Sequence, residues 1–356
     1  MNYDAHLYFK IHILYRYFMV LGELVTDFLV NPSIELKPNL EFLYQQWLIS
    51  QKILAEVHSL CSEFPVGKFK AGLENALMRR VLDMVEPNPM DLFQCLDVDG
   101  LAFGFSCVGL EFERSVLDSM VQVIQRNIDT THEVPLPEIY VEDTQIVLGK
   151  FVLVRNVPVN RLLGVTSGQM DFSLAVAYVL CSALQYNALY AETRHIGPPQ
   201  CVYDDFHVWG IRNEGFASPF NARLLGKEQA GFFSAFPQTD AIFGSRGSFF
   251  HADWKDFDGA WCVDPPFLEE TLSRVDAIVG RWREEGCPPV LFIGPSSYEM
   301  KTPFDEEIRL LKGTHFYEGL DGQLHPLPMD VSIWRFGEIE GFNVDRIVSG
   351  YLPVQS

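Results

Sequence analysis

The tetrapeptide Asp264-Pro265-Pro266-Phe267 combines the residue types needed to activate a planar exocyclic amine. It follows Ala260-Trp261-Cys262-Val263, an apolar run that reads as the end of a buried strand. Neither proline has an N–H to donate, so a central strand must stop there. A carboxylate, a rigid carbonyl and an aromatic ring are left at the C-terminal edge, where open α/β sheets bind ligands. The N6 amine of adenine is a poor nucleophile because its lone pair is delocalised into the ring. Two acceptors for its N–H groups would pyramidalise the nitrogen and turn the lone pair toward an electrophile. The Asp264 side chain offers one acceptor, and the Pro265 carbonyl, aimed by Pro266, offers the second. Phe267 can stack on the base. Such catalysis rests on positioning and preorganised acceptors, without a covalent intermediate. The matching electrophile is the sulfonium methyl of S-adenosylmethionine. The plainer alternative is a Pro-Pro turn followed by a core Phe.

Upstream lies Val208-Trp209-Gly210-Ile211-Arg212-Asn213-Glu214-Gly215-Phe216-Ala217-Ser218-Pro219-Phe220-Asn221. It reads as a strand, a tight turn of small residues, and a helix beginning at Ala222. Small residues let a backbone approach a ligand, and amides at a helix start would face the methionine carboxylate of the cofactor. Glu214 would pair with the cofactor ammonium or order nearby water. Glu214, Phe216, Ala217, Ser218, Pro219 and Asn221 are therefore the expected cofactor residues. Asp240 and Asp253 compete for the acid that binds the cofactor ribose.

Several blocks now stand in one order. They are Gly215 to Asn221, Ser234-Ala235-Phe236-Pro237-Gln238-Thr239-Asp240, Phe243-Gly244-Ser245-Arg246-Gly247-Ser248, and Asp264 to Glu270. Together they resemble the catalytic domain of the phosphorylated-CTD-interacting factor family, the cap-specific mRNA adenosine N6-methyltransferases. The likeness is strongest from Glu214 to Glu270, fainter through Asp171–Tyr190 and Pro198-Pro199, and weak toward Trp334. The resemblance implies S-adenosylmethionine as cofactor and, as substrate, the 2′-O-methylated adenosine beside the 7-methylguanosine cap. It also implies a nuclear setting. The family usually has Asn where this chain has Asp264; both side chains accept a hydrogen bond from an amine. Vertebrate members add an N-terminal WW module that binds phosphorylated polymerase tails. That module needs two spaced Trp, and the N-terminal half here has only Trp47. The expectation is therefore no WW module and no polymerase-tail binding.

The net charge of −20 opposes nucleic-acid binding overall. An enzyme gripping a few nucleotides by stacking tolerates this better than a duplex reader. A local basic patch is still needed, and Lys68, Lys70, Arg79 and Arg80 are the candidates. Arg246, with Arg194, Arg212 and Arg223, lies nearer the proposed site in sequence. The seven Cys and nine His show no metal-ligand spacing, and the Cys sit in apolar runs, which suits a reducing intracellular compartment. No metal is expected. The apolar stretch His6–Val30 carries Lys10, His12, Arg16, Glu23 and Asp27, so a buried amphipathic helix fits better than a membrane span.

The elements that must position these residues divide in two. Residues 1–135 read as a helical accessory domain, with helices over Leu40–Leu60, Gly72–Val85 and Ser115–Ile128. Residues 136–356 read as the catalytic domain. There Ile139–Val157 is a strand pair and Asp171–Tyr190 a strong helix. Val208–Ile211, Ala241–Phe243, Trp261–Val263, Val290–Ile293 and Val331–Trp334 are expected strands, with helices over Leu268–Glu284 and Phe304–Leu311. This alternation predicts a mainly parallel sheet with helices on both faces. The expected fold class is α/β, a Rossmann-like S-adenosylmethionine-dependent methyltransferase domain beside a mainly helical N-terminal domain. The expected function is methylation of cap-adjacent adenosine. Two rivals remain: another amine substrate (DNA or internal RNA adenine, or a protein glutamine), or a catalytically silent binding protein.

Overall fold

The computed structural model describes residues 28–30, 36–81, 84, 87–129, 134–142, 145–154, 157–191, 195–320 and 322–353. Of the stretch read as an N-terminal amphipathic helix, only Phe28–Val30 is described. It forms a strand, β1, paired antiparallel with β2 (Ile139–Glu142). Between them run helices α1 (Lys37–Ser59), α2 (Val66–Val81), α3 (Pro89–Gln94), α4 (Val98–Ser106) and α5 (Arg114–Ile128). Helix α2 stops at Val81, and Asn88-Pro89 starts the next helix. Asn88 Oδ1 accepts the Met90 and Asp91 N–H groups, and Pro89 takes the first helical position, where no N–H is required.

Helices α2 and α4 cross at two glycines. A Cβ on Gly104 would sit 2.3 Å from the Gly72 carbonyl oxygen and 2.7 Å from Ala76 Cβ. Gly104→Val should therefore force the helices apart and cost about 3 kcal/mol. Urea denaturation checks this, and an unchanged midpoint would refute the close crossing.

Strands β2, β3 (Gln145–Leu148) and β4 (Phe151–Val154) continue the small antiparallel sheet in the order β1-β2-β3-β4. The expected strand pair is thus three strands joined to a fourth from far upstream. Helices α6 (Val157–Thr166) and α7 (Phe172–Ala188) follow. Asp171 caps α7 by accepting the Leu174 N–H at 3.0 Å. Apolar on nearly every side, α7 is buried in a cluster that runs from Val30 through Ala191 and takes in Phe220, Phe236, Phe243 and Leu268.

The rest of the chain builds a three-layer α/β unit. Its elements are α8 (Gln200–Val208), β5 (Ile211–Glu214), β6 (Gly231–Phe232), α9 (Pro237–Asp240), β7 (Ala260–Val263), α10 (Glu269–Glu284) and β8 (Val290–Pro295). Then come β9 (Glu306–Leu310), the hairpin β10 (Phe316–Glu318) and β11 (Leu324–Pro326), β12 (Val331–Phe336) and α11 (Val344–Gly350). The large sheet is mixed, in the order β6-β5-β7-β8-β12-β9. Strands β6, β5, β7 and β8 are parallel, and β12 is antiparallel to both of its neighbours.

The side-chain alternation of each strand sorts the two faces. Cys262, Leu291, Ile293 and Ile333 pack with Val202, Tyr203 and Phe206 of α8 and Ile347 of α11. Trp261, Val263, Val290, Phe292 and Trp334 pack with Leu272, Val275, Val279 and Trp282 of α10. Burial on both faces is why these strands are continuous apolar runs.

Three expected elements change identity. Val208 closes α8, and the strand starts later, at Ile211. Ala241–Phe243 is a single 3₁₀ turn closed by Gly244 at φ +97°, a backbone region open to glycine. The expected helix over Phe304–Leu311 is strand β9, with Ile308 and Leu310 inward and Arg309 outward. Pairing with β12 overrides the helix preference of Glu306 and Glu307.

Candidate active site

Two carboxyl-bearing strand ends meet at one edge of the large sheet. Strand β5 ends at Glu214 and its neighbour β7 ends at Val263, one residue before Asp264; Glu214 lies opposite Cys262. From β5 the chain goes to β6 on one side and later to β7 on the other. A crevice opens at the C-terminal edge where strand order reverses in this way. Gly215 lets the two ends approach, since a Cβ there would lie 2.6 Å from Val263 Cγ1.

Asp264 is half-buried and makes no hydrogen bond or ion pair with any described residue. Burial, and then the charge of Glu214, push its carboxyl up to about 8. The Pro265 carbonyl meets no donor among the described residues, whereas the Pro266 carbonyl accepts the Leu268 N–H at 2.7 Å. That bond turns the chain into α10 and holds the tetrapeptide. Phe267 is half-buried, touches the apolar layers on both faces of the sheet, and makes no ring–ring contact with a described residue. Two acceptors are thus unspent at the strand end, beside a half-buried ring.

The loop after β5 differs from expectation. Glu214 is 3% exposed, and its Oε2 accepts the backbone N–H groups of Arg223 and Leu224 at 2.8 and 3.0 Å. Burial pushes its carboxyl up to about 7. No helix forms from Ala222; the chain makes turns through residue 229, with Gly226 at φ +73° and Gln229 at φ +56°. Other loop amides are also used internally. Gly215 N–H goes to the Cys262 carbonyl, Ala217 N–H to Phe233, and Ser218 N–H to Asn221 Oδ1. Ser218 Oγ donates to Asn221 Oδ1 and meets His195 Nδ1 at 2.8 Å. Burial holds His195 down at about 4, so its ring is neutral beside Ser218. Ser218 and Pro219 are buried, whereas Phe216, Ala217 and Asn221 keep partial exposure. Phe216 packs on Phe249 and Phe250.

The two ribose candidates separate. Asp240 is fully buried, with Ser182 Oγ at 2.8 Å and Tyr186 Oη at 2.9 Å donating to its two oxygens, and burial pushes it up to about 7. It ties the 237–240 turn to α7 and has no oxygen to spare for a ribose. Asp253 is exposed and lines a cavity of about 490 Å³ with Pro237, Gln238, Ser248 and His251. None of residues 264–267 lines that cavity.

The expected basic patch is largely spent. Arg79 Nε pairs with Glu270 at 2.7 Å, and Arg80 Nη2 with Asp97 at 3.1 Å. Lys68 is exposed and its Nζ reaches the Gly109 carbonyl at 3.5 Å; Lys70 is half-buried. Arg246 is structural: its guanidinium donates to Asn213 Oδ1 and to the Gln229 carbonyl, fastening the β6 side of the sheet. Arg223 is buried against Glu318, and Arg194 lies outside the described residues. What the sequence did not reveal is that Tyr203, Cys262, Tyr317 and Tyr351 all feel the charge of Asp264, which adds to burial in raising their proton affinity. The two last come from the far C-terminal region, and no local spacing links them to the site.

Comparison with known proteins places this site in context. A family model described as the phosphorylated CTD interacting factor 1 WW domain matches residues 171–294, a span from α7 into β8 that contains Glu214 and Asp264–Phe267. The mRNA (2′-O-methyladenosine-N(6)-)-methyltransferase of Mus musculus is 33% identical over 96 residues, 27% of this chain and 13% of that protein. The protein of the same name from Homo sapiens is 34% identical over 96 residues, with the same coverage. The alignment therefore spans a small part of the length of these relatives. The expectation of no WW module is overturned by the family match, whose description is that of the WW domain. Counting Trp in the N-terminal half missed it because the matched residues lie in the middle of the chain. Among the described residues no helix is long and apolar enough to cross a membrane.

Proposed function

Because residues 171–294 belong to the phosphorylated CTD interacting factor 1 family, we propose that the chain is an S-adenosylmethionine-dependent adenine N6-methyltransferase acting on the 2′-O-methyladenosine beside the mRNA cap. The observation that carries this reading is the pair of unspent acceptors, the Asp264 carboxyl and the Pro265 carbonyl, next to the half-buried ring of Phe267. A Rossmann-like reading of the sheet is supported by its four parallel strands and by the reversal of strand order at β5.

The residues present suit a cationic cofactor. Glu214 is buried and Asp264 half-buried; no described lysine or arginine pairs with Asp264, so it presents an acceptor and no positive charge to a cation. S-adenosylmethionine, when bound, supplies an electrophilic methyl group on a positively charged sulfur. Phe216, Ala217 and Asn221, which keep partial exposure, would hold it at the end of β5, with Glu214 bracing the loop from behind, and Asp253 is the remaining candidate for the ribose.

The chain's own residues account for activation of the amine. Phe267 sets the plane of the base. The Asp264 carboxyl and the Pro265 carbonyl each accept one N–H of the amine, which pyramidalises the nitrogen. Burial that keeps Asp264 protonated near neutral pH makes it the electronic equivalent of the Asn found elsewhere in the family, with one carbonyl-type acceptor and one donor. The amine proton leaves to solvent after methyl transfer, so no dedicated base is required.

Phe267→Ala should weaken RNA binding about 10-fold or more through lost stacking, which titration with a short capped RNA measures. Mass spectrometry of cap-proximal nucleosides after incubation of capped and uncapped RNA with the protein tests the function. N6-methylation confined to capped RNA supports it. Methylation of uncapped or internal adenine would transfer the same chemistry to another substrate, and no methyl transfer to any nucleic acid would end the reading.

A further inference from the structure

The amides of the loop after β5 are almost all committed. Gly215 donates to the Cys262 carbonyl, Ala217 to the Phe233 carbonyl, and Ser218 to Asn221 Oδ1. Phe220 donates to Ser218 Oγ, Asn221 and Ala222 to the Ser218 carbonyl, and Arg223 and Leu224 to Glu214. Pro219 has no N–H, and only that of Phe216 meets no acceptor among the described residues. A carboxylate arriving at this loop would therefore find no row of free amides of the kind that receives an anion at a helix start. It would find a cation instead. Arg161, on α6, reaches the same loop. Its Nη2 donates to the Phe220 carbonyl at 3.2 Å, one residue before Asn221, and its Nη1 to Gln200 Oε1 at 3.4 Å. Helix α6 lies along the turn that follows, since a Cβ on Gly226 would lie 3.2 Å from Val165 Cγ2.

Arg161 is half-buried, and no described carboxylate pairs with it. The acids of this region are committed elsewhere. Glu318 is held by Arg223 and by the Gln200 N–H, and Glu214 by two backbone amides. Both bonds from Arg161 are long and go to uncharged oxygens, and its Nε is buried without a partner. Burial, and then the charge of Arg223, pull Arg161 down to about 10, so it is still a cation at neutral pH. A guanidinium drawn out of water without a counter-ion is costly, and its planar fork matches a carboxylate. We propose that Arg161 is the anion-binding residue of the cofactor site, pairing with the carboxylate of the methionine moiety beside Phe220 and Asn221. This rests on the reading of residues 216–221 as the cofactor loop. The loop can then spend its amides on its own turns, because the charge that holds the ligand comes from a separate helix.

The test is calorimetric binding of two ligands to the full chain: S-adenosylhomocysteine, and 5′-methylthioadenosine, which keeps the nucleoside and lacks the amino-acid portion. Arg161→Met, which preserves the aliphatic stem, should weaken S-adenosylhomocysteine binding about 10- to 100-fold and leave 5′-methylthioadenosine unchanged. Under turnover its KM for S-adenosylmethionine should rise by a similar factor, with kcat little changed. Near-ultraviolet circular dichroism verifies the fold. If Arg161→Met does not fold, Arg161→Gln, which keeps an N–H for the Phe220 carbonyl, decides with the same expectation. Equal weakening of both ligands would show that Arg161 only braces the loop, and unchanged affinity for both would show that it meets no ligand; either result overturns the proposal. Weaker binding of a short capped RNA with S-adenosylhomocysteine unaffected would also overturn it, by assigning the charge to a substrate phosphate. In each of these cases the wild type still binds S-adenosylhomocysteine, and the cofactor reading stands. A wild type that binds neither ligand removes that reading and the role of Arg161 together.

Discussion

Asp264→Ala is expected to lower methyl transfer to capped RNA by about 100- to 1,000-fold, the usual loss when one preorganised polar partner of the reacting atoms is removed. The fold should be unaffected, because Asp264 holds no ion pair or hydrogen bond with the described residues. Asp264→Asn should keep most of the activity, since an amide carbonyl accepts the same N–H. The two substitutions also separate on stability. The folded carboxyl titrates at about 8 against an ordinary value of 3.8. Between those values the native state holds a proton that the unfolded state has lost, so stability falls as pH rises through this window and levels off above about 8. Asp264→Asn removes this slope. Its advantage in Tm over wild type should grow with pH across the window and amount to several degrees at its upper end. Parallel Tm-against-pH curves would show that Asp264 is not held neutral, and wild-type turnover in Asp264→Ala would remove it from the chemistry.

Arg223→Ala should be the most destabilising single substitution considered for this unit, at about 3–5 kcal/mol. The Arg223 side chain is 5% exposed. Its two terminal nitrogens donate to Glu318 Oε1 at 3.0 Å and to the Glu318 carbonyl at 2.9 Å. Glu318 Oε2 also accepts the Gln200 N–H. The network ties the loop after β5 and the start of α8 to β10, the strand that carries Tyr317. Removing the guanidinium leaves a largely buried carboxylate without its partner, which costs far more than the pair contributes in itself. Arg223→Met combined with Glu318→Gln should recover much of the loss. Urea denaturation measures both, and a loss below about 1 kcal/mol would place the pair with ordinary surface ion pairs.

The same residues show how far the chain can be read without its fold. Strands β7, β8 and β12 are legible because both of their faces are buried, which makes them short apolar runs whatever they pack against. The strand end at Asp264-Pro265-Pro266 is legible because proline has no N–H in any context. Helices α1, α5, α7 and α10 announce themselves through periodicity and length. The fate of the loop after β5 was not legible. The backbone turns at Gly226 and Gln229, both at positive φ, and Glu214, nine residues upstream, ties down the Arg223 amide. Nor was β9, whose acidic residues favour a helix until β12 pairs with them.

Local chemistry in the sequence therefore determined the strand ends, the acceptor pair and the ring that follows it. Tertiary structure alone decided which charges are spent and which remain. Arg79 finds Glu270, Arg246 finds Asn213, Asp240 finds two hydroxyls, and Asp264 finds none. Hydrogen bonds and ion pairs are short-ranged, and their partners here are mostly tens of residues or more away in the chain. Only the completed packing can assign them.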